Sequence, residues 1–252
     1  MRIVIVLMVL ACIVIGIIAG MVAFMAGEPE TKVFPTARPL IVSSVTPETP
    51  IKHGVEWSSS LDPERHESML TGPDRFSTEL NPQPDSGETL IFSWYQIPAP
   101  ETPVALRNLR LSPNGGESEI IVEVGEASYF LSLSQQLTEG TPAENPPGMS
   151  QFVAYPISSC NSTKRNVEIV SPDGLQDFDL ASPEFVCLPV KEWHHEEHFG
   201  ITEPNLCWLV YATDQLGGKE HTVSTLEQFG LSKLNVQPAK WLCLPATKLG
   251  PS

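Results

Sequence analysis

The sequence predicts an all-β fold of tandem repeats of about 56 residues, preceded by one N-terminal transmembrane helix. Residues 151–190 align without a gap on residues 207–246, an offset of 56. From about residue 90 onward, short runs of β-branched and aromatic residues alternate with Pro and Gly, which is typical of short strands joined by turns. Residues 3–26 are apolar without interruption. These three observations determine the predicted architecture.

The first predicted segment, residues 1–27, is a signal-anchor helix. Its apolar run is long enough to cross a hydrocarbon core of about 30 Å. Arg2 precedes the run, and Glu28 and Glu30 follow it. This order of charges predicts that the N-terminus lies inside and the bulk of the chain is extracytoplasmic, in the periplasm or on the cell surface. The alternative is secretion after cleavage of a signal peptide.

Residues 28–86 scatter Pro, Thr, Ser and Glu with little apolar periodicity. Such a composition buries too little apolar surface to offset the entropy of ordering the chain. We therefore predict a Pro-rich extended linker here. The rest of the chain divides into a diverged β repeat (87–137), a linker (138–150), a first clear β repeat (151–191), a His/Glu connector (192–206) and a second clear β repeat (207–248).

The two clear repeats keep their landmarks in register. Tyr155 aligns with Tyr211, and both copies close on Cys-Leu-Pro, at 187–189 and 243–245. An aromatic residue precedes a tyrosine by three positions in both copies, and again at Phe92 and Tyr95, which indicates the diverged third copy. Each copy reads as four short strands. Three units would suit a closed, trefoil-like barrel and two a compact barrel or sandwich; closure would leave no exposed strand edge.

Three segments of the second clear repeat resemble a known family. They are Cys-Leu-Pro-Ala-Thr-Lys at 243–248, Glu-Gln-Phe-Gly at 227–230 and the opening Pro-Asn-Leu-x-Trp-x-x-Tyr at 204–211. Together they resemble an uncharacterised β-rich repeat family of secreted bacterial and archaeal proteins, planctomycetes included. The resemblance covers about 100 residues. It implies export and a β fold, and it brings no known activity and no site residues.

Four cysteines follow the predicted anchor, namely Cys160, Cys187, Cys207 and Cys243. An even number of cysteines in an exported domain favours disulfides. Pairing within each repeat would give Cys160–Cys187 and Cys207–Cys243, although Cys160 and Cys207 are not at equivalent positions. All three connectivities therefore stay open.

The segment His194-His195-Glu196-Glu197-His198 matches an inverted zinc-protease motif, H-x-x-E-H. That chemistry needs a helix, and the flanking Pro189 and Pro204 leave no room for a long one. We predict a solvated surface connector, with His194, His195 and His198 as weak metal candidates only. No catalytic residue, resident metal or cofactor is predicted.

The net charge of −15 disfavours nucleic-acid binding, which requires a basic surface. The sequence therefore predicts a non-catalytic, membrane-anchored protein that acts as an accessory or structural subunit of a membrane or envelope assembly, with a protein partner there. The alternative is an extracellular ligand- or carbohydrate-binding module, with Trp57 or Trp193 as exposed aromatic contacts. A metal-dependent hydrolase using the histidine segment is the less favoured third hypothesis.

Overall fold

A computed structural model describes residues 38–80, 91–101, 104–113, 119–137, 151–162, 165–171, 174–194, 197–199 and 205–250. Within these ranges the chain is all β, which confirms the predicted class. No described helix is long and apolar enough to cross a membrane, and the predicted anchor at 3–26 lies outside these ranges. The described strands are β1 (Leu40–Pro47), β2 (Ile51–Ser59), β3 (His66–Glu79), β4 (Ile91–Gln96), β5 (Arg107–Pro113), β6 (Ile120–Val124), β7 (Tyr129–Leu137), β8 (Gln151–Cys160), β9 (Arg165–Ser171), β10 (Gly174–Leu180), β11 (Phe185–His194), β12 (Glu197–Phe199), β13 (Leu206–Ala212), β14 (His221–Glu227) and β15 (Gly230–Lys248).

Eight of these strands form a circuit of antiparallel pairings, which we call the strand ring. The pairs run β1–β3, β3–β4, β4–β7, β7–β8, β8–β11, β11–β13, β13–β15 and finally β15–β1. Pairing therefore returns to the strand at which it began. The first described strand pairs with the last, because Leu40 lies opposite Cys243.

The ring consists of four units that share one strand order. They are the first unit (40–79), the second unit (91–137), the third unit (151–194) and the fourth unit (206–248). In each unit the first strand pairs with the last, and the strands between them form a hairpin. The third and fourth strands of a unit run on as one long strand in β3 and in β15.

The first unit corrects the predicted linker over 28–86. The described part of that segment forms β1, β2 and β3, with Leu40, Val42 and Leu70 buried. These strands take their partners from β15 and β4, which are distant in the sequence. The unit contributes to both faces of the sheet, with Leu40 in the interior cluster of the ring and Leu70 in the cluster on the other face. A prediction based on local composition therefore misses the unit.

The connector predicted at 192–206 is also partly strand. Strand β11 continues to His194, and its end forms a hairpin with β12, in which Trp193 lies opposite His198. Strand β11 also pairs with β2 at Lys191 and Glu192. Long-range pairing again orders a segment that lies outside the sequence repeat.

Three of the hairpins reach across the ring to the unit two places away. Strand β2 of the first unit pairs with β11 of the third, β5 of the second with β15 of the fourth, and β14 of the fourth with β7 of the second. These three contacts, which we call cross-ring ladders, place the second strand of one unit against the last strand of another. Units that are distant in sequence are thereby tied together.

Candidate functional site

The interior of the strand ring is filled by aromatic, aliphatic and cysteine side chains. At the position where Phe92 opens the second unit, the other units carry Leu40, Phe152 and Trp208. The ring centroids of Phe152 and Trp208 are 4.5 Å apart, and Phe92 packs edge-on against both. Edge-to-face aromatic contacts add to the free energy gained by burying the rings. The interior is therefore a packed core.

The spacing of three between an aromatic residue and a tyrosine has a structural cause. Side chains alternate between the two faces of a strand, so residues three apart point to opposite sides. Phe92, Phe152 and Trp208 belong to the interior cluster of the ring, whereas Tyr95, Tyr155 and Tyr211 belong to the cluster on the other face, under the hairpins. The motif marks strands that are buried on both faces.

One layer of the ring carries an arginine among three aromatic rings. Arg75 stands in the first unit where the other units carry Tyr129, Phe185 and Trp241. Its guanidinium carbon lies 4.4, 5.0 and 4.3 Å from the centroids of those three rings. A cation over aromatic faces is attracted by their quadrupoles, most strongly when water is excluded. Arg75 thus fills a cage that the three repeats supply.

Tyr155 ties the third unit to the first through hydrogen bonds. Its hydroxyl lies 2.7 Å from Ser59 Oγ at the end of β2, and it donates to Asp62 Oδ2 at 3.2 Å. Arg107 forms an ion pair with Asp62 and lies over the Tyr155 ring. Burial raises the pKa of Tyr155, so the phenol stays protonated and can donate.

We expect Tyr155→Phe to lower the free energy of unfolding by about 1–3 kcal/mol, because Ser59 and Asp62 lose a buried partner. Denaturant unfolding measures the loss. Ser59→Ala and the double variant complete a double-mutant cycle, in which the two changes should cost less together than the sum of the single costs. Strict additivity would show that the two hydroxyls do not interact.

Tyr95 makes the corresponding contact from the second unit to the fourth. Its hydroxyl donates to Glu227 Oε1 at 2.5 Å. Glu227 ends β14 and lies opposite Ser134 in the cross-ring ladder with β7, just as Ser59 lies opposite Val190 in the ladder with β11. Glu227 and Ser59 therefore hold equivalent positions, and each receives a tyrosine from two units away.

The surroundings of Glu227 are polar, and no cation among the described residues acts on its carboxyl. Its side chain is 1% exposed, and burial raises its pKa to about 7, although the hydroxyls of Tyr95, Ser132 and Ser93 lower it in part. Its Oε2 and the hydroxyl of Thr225 have no hydrogen-bond partner within the described part. Buried oxygens of this kind usually bind ordered water.

A surface groove of about 470 Å³ borders this cluster. It is lined by Glu48, Thr49, Ile51, Leu137, Ser224, Leu231, Ser232 and Lys233. Leu137 and Ser224 are a cross-strand pair of the β14–β7 ladder, and Lys233 forms an ion pair with Glu48 at 2.6 Å. A mixture of apolar walls, hydroxyls and one ion pair suits a polar ligand with an apolar face.

The predicted disulfides are not formed, because Cys160, Cys187, Cys207 and Cys243 are all free thiols. Cys187 and Cys243 belong to the interior cluster of the ring, whereas Cys207 belongs to the cluster on the other face. Cys207 and Cys243 therefore point to opposite sides of the sheet. Cys160 lies six residues beyond Ala154, the partner of Cys187 on β8, which is about 20 Å along a strand. Neither pair meets the geometry of a disulfide.

We expect only Cys160, among these four, to react quickly with a thiol reagent in the folded chain. Burial raises the pKa of Cys187, Cys207 and Cys243, that of Cys207 to about 12, so they carry almost no reactive thiolate at neutral pH. Alkylation followed by peptide mass spectrometry measures this. Under denaturing conditions without reductant all four should be alkylated, and a peptide pair linked by a disulfide would contradict the free thiols.

The aromatic and histidine candidates are placed unequally. Trp57 is buried, stacks on His66 at 4.7 Å and donates its indole N–H to Ser68 Oγ at 3.0 Å. The prediction that Trp57 offers an exposed contact is therefore wrong. The side chains of Trp193, His194 and His198, and all of His195, lie outside the described part, so their roles stay predictions.

Sequence reasoning missed the polar positions that join the units. Arg75, Asp62 and Ser59 lie in the segment predicted as a linker, and the sequence marks Glu227 only as part of the family-like segment 227–230. The repeated tyrosines were the available signal, because a buried phenol needs a partner at the equivalent place in each unit. The identity of that partner depends on cross-ring pairing, which a single sequence does not reveal.

The four units around one ring define an all-β repeat protein. A family model, described as a repeat of unknown function, DUF7450, matches residues 91–245. The match covers more than half of the 252 residues, so the chain belongs to this repeat family. The matched range falls in the second to fourth units, and the first unit lies before it. No curated protein and no solved structure matches the chain.

Proposed function

We propose that this protein is a non-catalytic, membrane-anchored accessory subunit that holds a partner in a membrane or envelope assembly. The observation that carries the proposal is a pair of exposed leucines. Leu175 and Leu231 hold equivalent positions on the hairpins of the third and fourth units, and they are 66% and 65% exposed. Neither is needed for the core, and exposed apolar residues in a repeated arrangement suit a protein contact.

Two further features support assembly over catalysis. Tyr95, Tyr155 and Arg75 are engaged in contacts between units, and burial of three thiols raises their pKa and disfavours nucleophilic chemistry. The apolar run at 3–26 supports an anchor with the bulk of the chain exported, and family resemblance supports export as well. Protease protection of the tagged full chain in intact cells and in lysed cells tests the orientation.

Purification of the full chain from its own membranes in mild detergent tests the partner. We expect a protein recovered in stoichiometric amount with the wild type and at least about tenfold less with Leu175→Asp/Leu231→Asp, since each leucine contributes more than about 1 kcal/mol when buried. Lys219→Asp is a matched control on an exposed loop. Equal recovery with the double leucine variant, or no partner at all from native membranes, would contradict the proposal.

A second function, an extracellular ligand- or carbohydrate-binding module, is favoured by the groove around Leu137 and Ser224. Its volume falls within the range of about 300–1,000 Å³ that is usual for small-molecule sites. Screening of soluble glycans by calorimetry, with Ser224→Trp to fill the groove, tests this function.

The metal-dependent hydrolase has no support from the described residues, and metal analysis of the purified chain tests it.

We also propose that the strand ring is a closed barrel of trefoil-like design with four units in place of three. The circuit of eight pairings, the shared strand order and the filled interior support this arrangement. In such a barrel every ring strand has two neighbours, so no long edge is exposed to another chain.

A further inference from the structure

Glu227 departs from the pattern of its own fold. At the equivalent position of the first unit, Ser59 makes the same contact with a tyrosine hydroxyl from the unit two places away. In the first unit the phenol contacts a serine and the Asp62 carboxylate, which is paired with Arg107, whereas in the fourth unit it contacts one buried carboxyl that has no such ion pair among the described residues. A buried carboxylate without a cation is costly to place there. A position that breaks a local rule without a structural gain is a candidate for a functional role.

Glu227 lies at the end of the contact that ties the hairpin of the fourth unit to the second unit. It ends the four-rung ladder between β14 and β7, which runs from Glu227 opposite Ser134 to Ser224 opposite Leu137. The last of these pairs forms part of the groove wall. This ladder joins the hairpin of the fourth unit to the ring strand two units away by backbone pairing. Its strength depends on how well Glu227 is accommodated at its end.

The groups around Glu227 leave its charge uncompensated. Strand β4 contributes Tyr95 and Ser93, strand β7 contributes Ser132 and Ser134, and strand β15 contributes Ser232. The turn after β14 leads to two further titratable groups, since Gln228 donates to buried Glu192 at 3.1 Å and Phe229 stacks on His53 at 4.6 Å. Hydroxyl groups stabilise a carboxylate less than a cation does, so ionisation is disfavoured here.

We propose that Glu227 is a pH-sensitive lock that fastens the fourth-unit hairpin to β7 when it is protonated and loosens the ladder when it ionises. The neutral carboxyl accepts a hydrogen bond from the Tyr95 hydroxyl at Oε1. Its own O–H can donate to a neighbouring hydroxyl. The ionised carboxylate remains buried with hydroxyl partners only. Release of the ladder hydrates it and opens the groove at the Leu137–Ser224 pair.

The direction of the pH dependence follows from the pKa. Burial holds the pKa of Glu227 at about 7 in the locked state, against the ordinary value of 4.5 once the ladder is released. The locked state therefore binds a proton more tightly, and the stabilisation is complete below about pH 4.5 and lost as pH rises through about 7. Between those values the ratio of released to locked ladder rises by at most about tenfold for each pH unit.

Hydrogen exchange of the full chain, read by mass spectrometry and corrected for intrinsic exchange at each pH, measures the ladder directly. From pH 4.5 to 8 we expect the protection of 224–227 and 134–137 to fall in the wild type. This protection should stay constant with pH in Glu227→Gln and in Glu227→Ser. The second variant carries the serine that the first unit has at this position. Protection of the β2–β11 ladder at Ser59 should not change with pH in any of the three proteins.

His53→Gln should keep the wild-type slope, which separates Glu227 from the neighbouring histidine. A wild-type profile for 224–227 that is flat with pH would overturn the proposal. So would a slope that persists in both Glu227 variants, and if Glu227→Gln fails to fold, Glu227→Ser alone decides.

Discussion

Replacement of Trp208 by Ala is expected to lower the free energy of unfolding by about 3–5 kcal/mol, the usual cost of removing a large aromatic side chain from a core. Trp208 is buried in the ring interior, packs against Phe92 and Phe152, and donates its indole N–H to Arg38 O at 3.4 Å. Truncation leaves a cavity at the centre of a layer to which all four units contribute. Urea unfolding of the purified chain measures the loss.

Two matched variants sharpen this test. Trp208→Phe restores the residue that two other units carry at this position, and it should cost less than half as much as Trp208→Ala. Leu231→Ala, on the exposed hairpin of the same unit, should change stability by no more than about 0.5 kcal/mol. Equal costs for Trp208→Ala and Leu231→Ala would mean that the layer is not a packed core.

Replacement of Arg75 by Ala is expected to cost about 2 kcal/mol or more, because the cage of Tyr129, Phe185 and Trp241 loses both its cation and its filling. Arg75→Met keeps most of the side-chain length and lacks the charge. Its stability should fall between those of the wild type and the Ala variant. The difference between Arg75→Met and the wild type measures the cation–π contribution, and a difference of zero would show that Arg75 acts by packing alone.

The sequence contained enough information for the class of fold and for the repeat, because both depend on patterns within a unit. The spacing of aromatic and tyrosine residues identified strands buried on both faces. The repeat pattern does not predict the first unit, because this unit carries Leu40 and Ser43 where the other units carry an aromatic residue and a tyrosine. Its strand β1 pairs with β15 at the far end of the chain, and the local composition does not indicate such a partner.

The polar positions were less accessible for a similar reason. Glu227 carries a carboxyl group and Ser59 a hydroxyl group, and only the ladder register shows that they are equivalent. The within-repeat pairing of the cysteines does not fit the structure, because an even number of cysteines indicates at most a redox compartment. It carries no information on which face of a strand each thiol occupies, and here the faces separate Cys207 from Cys243.

The central feature of the molecule is a ring in which the first unit, residues 40–79, is an integral member. Native-state hydrogen exchange at increasing denaturant concentration tests this most directly. The amides of β1 and β3 should open with the same free energy as those of β4 and β8, because strands of one cooperative ring unfold together. Amides of β1 and β3 that exchange at the rate of an unstructured chain, while β4 and β8 stay protected, would contradict the four-unit ring.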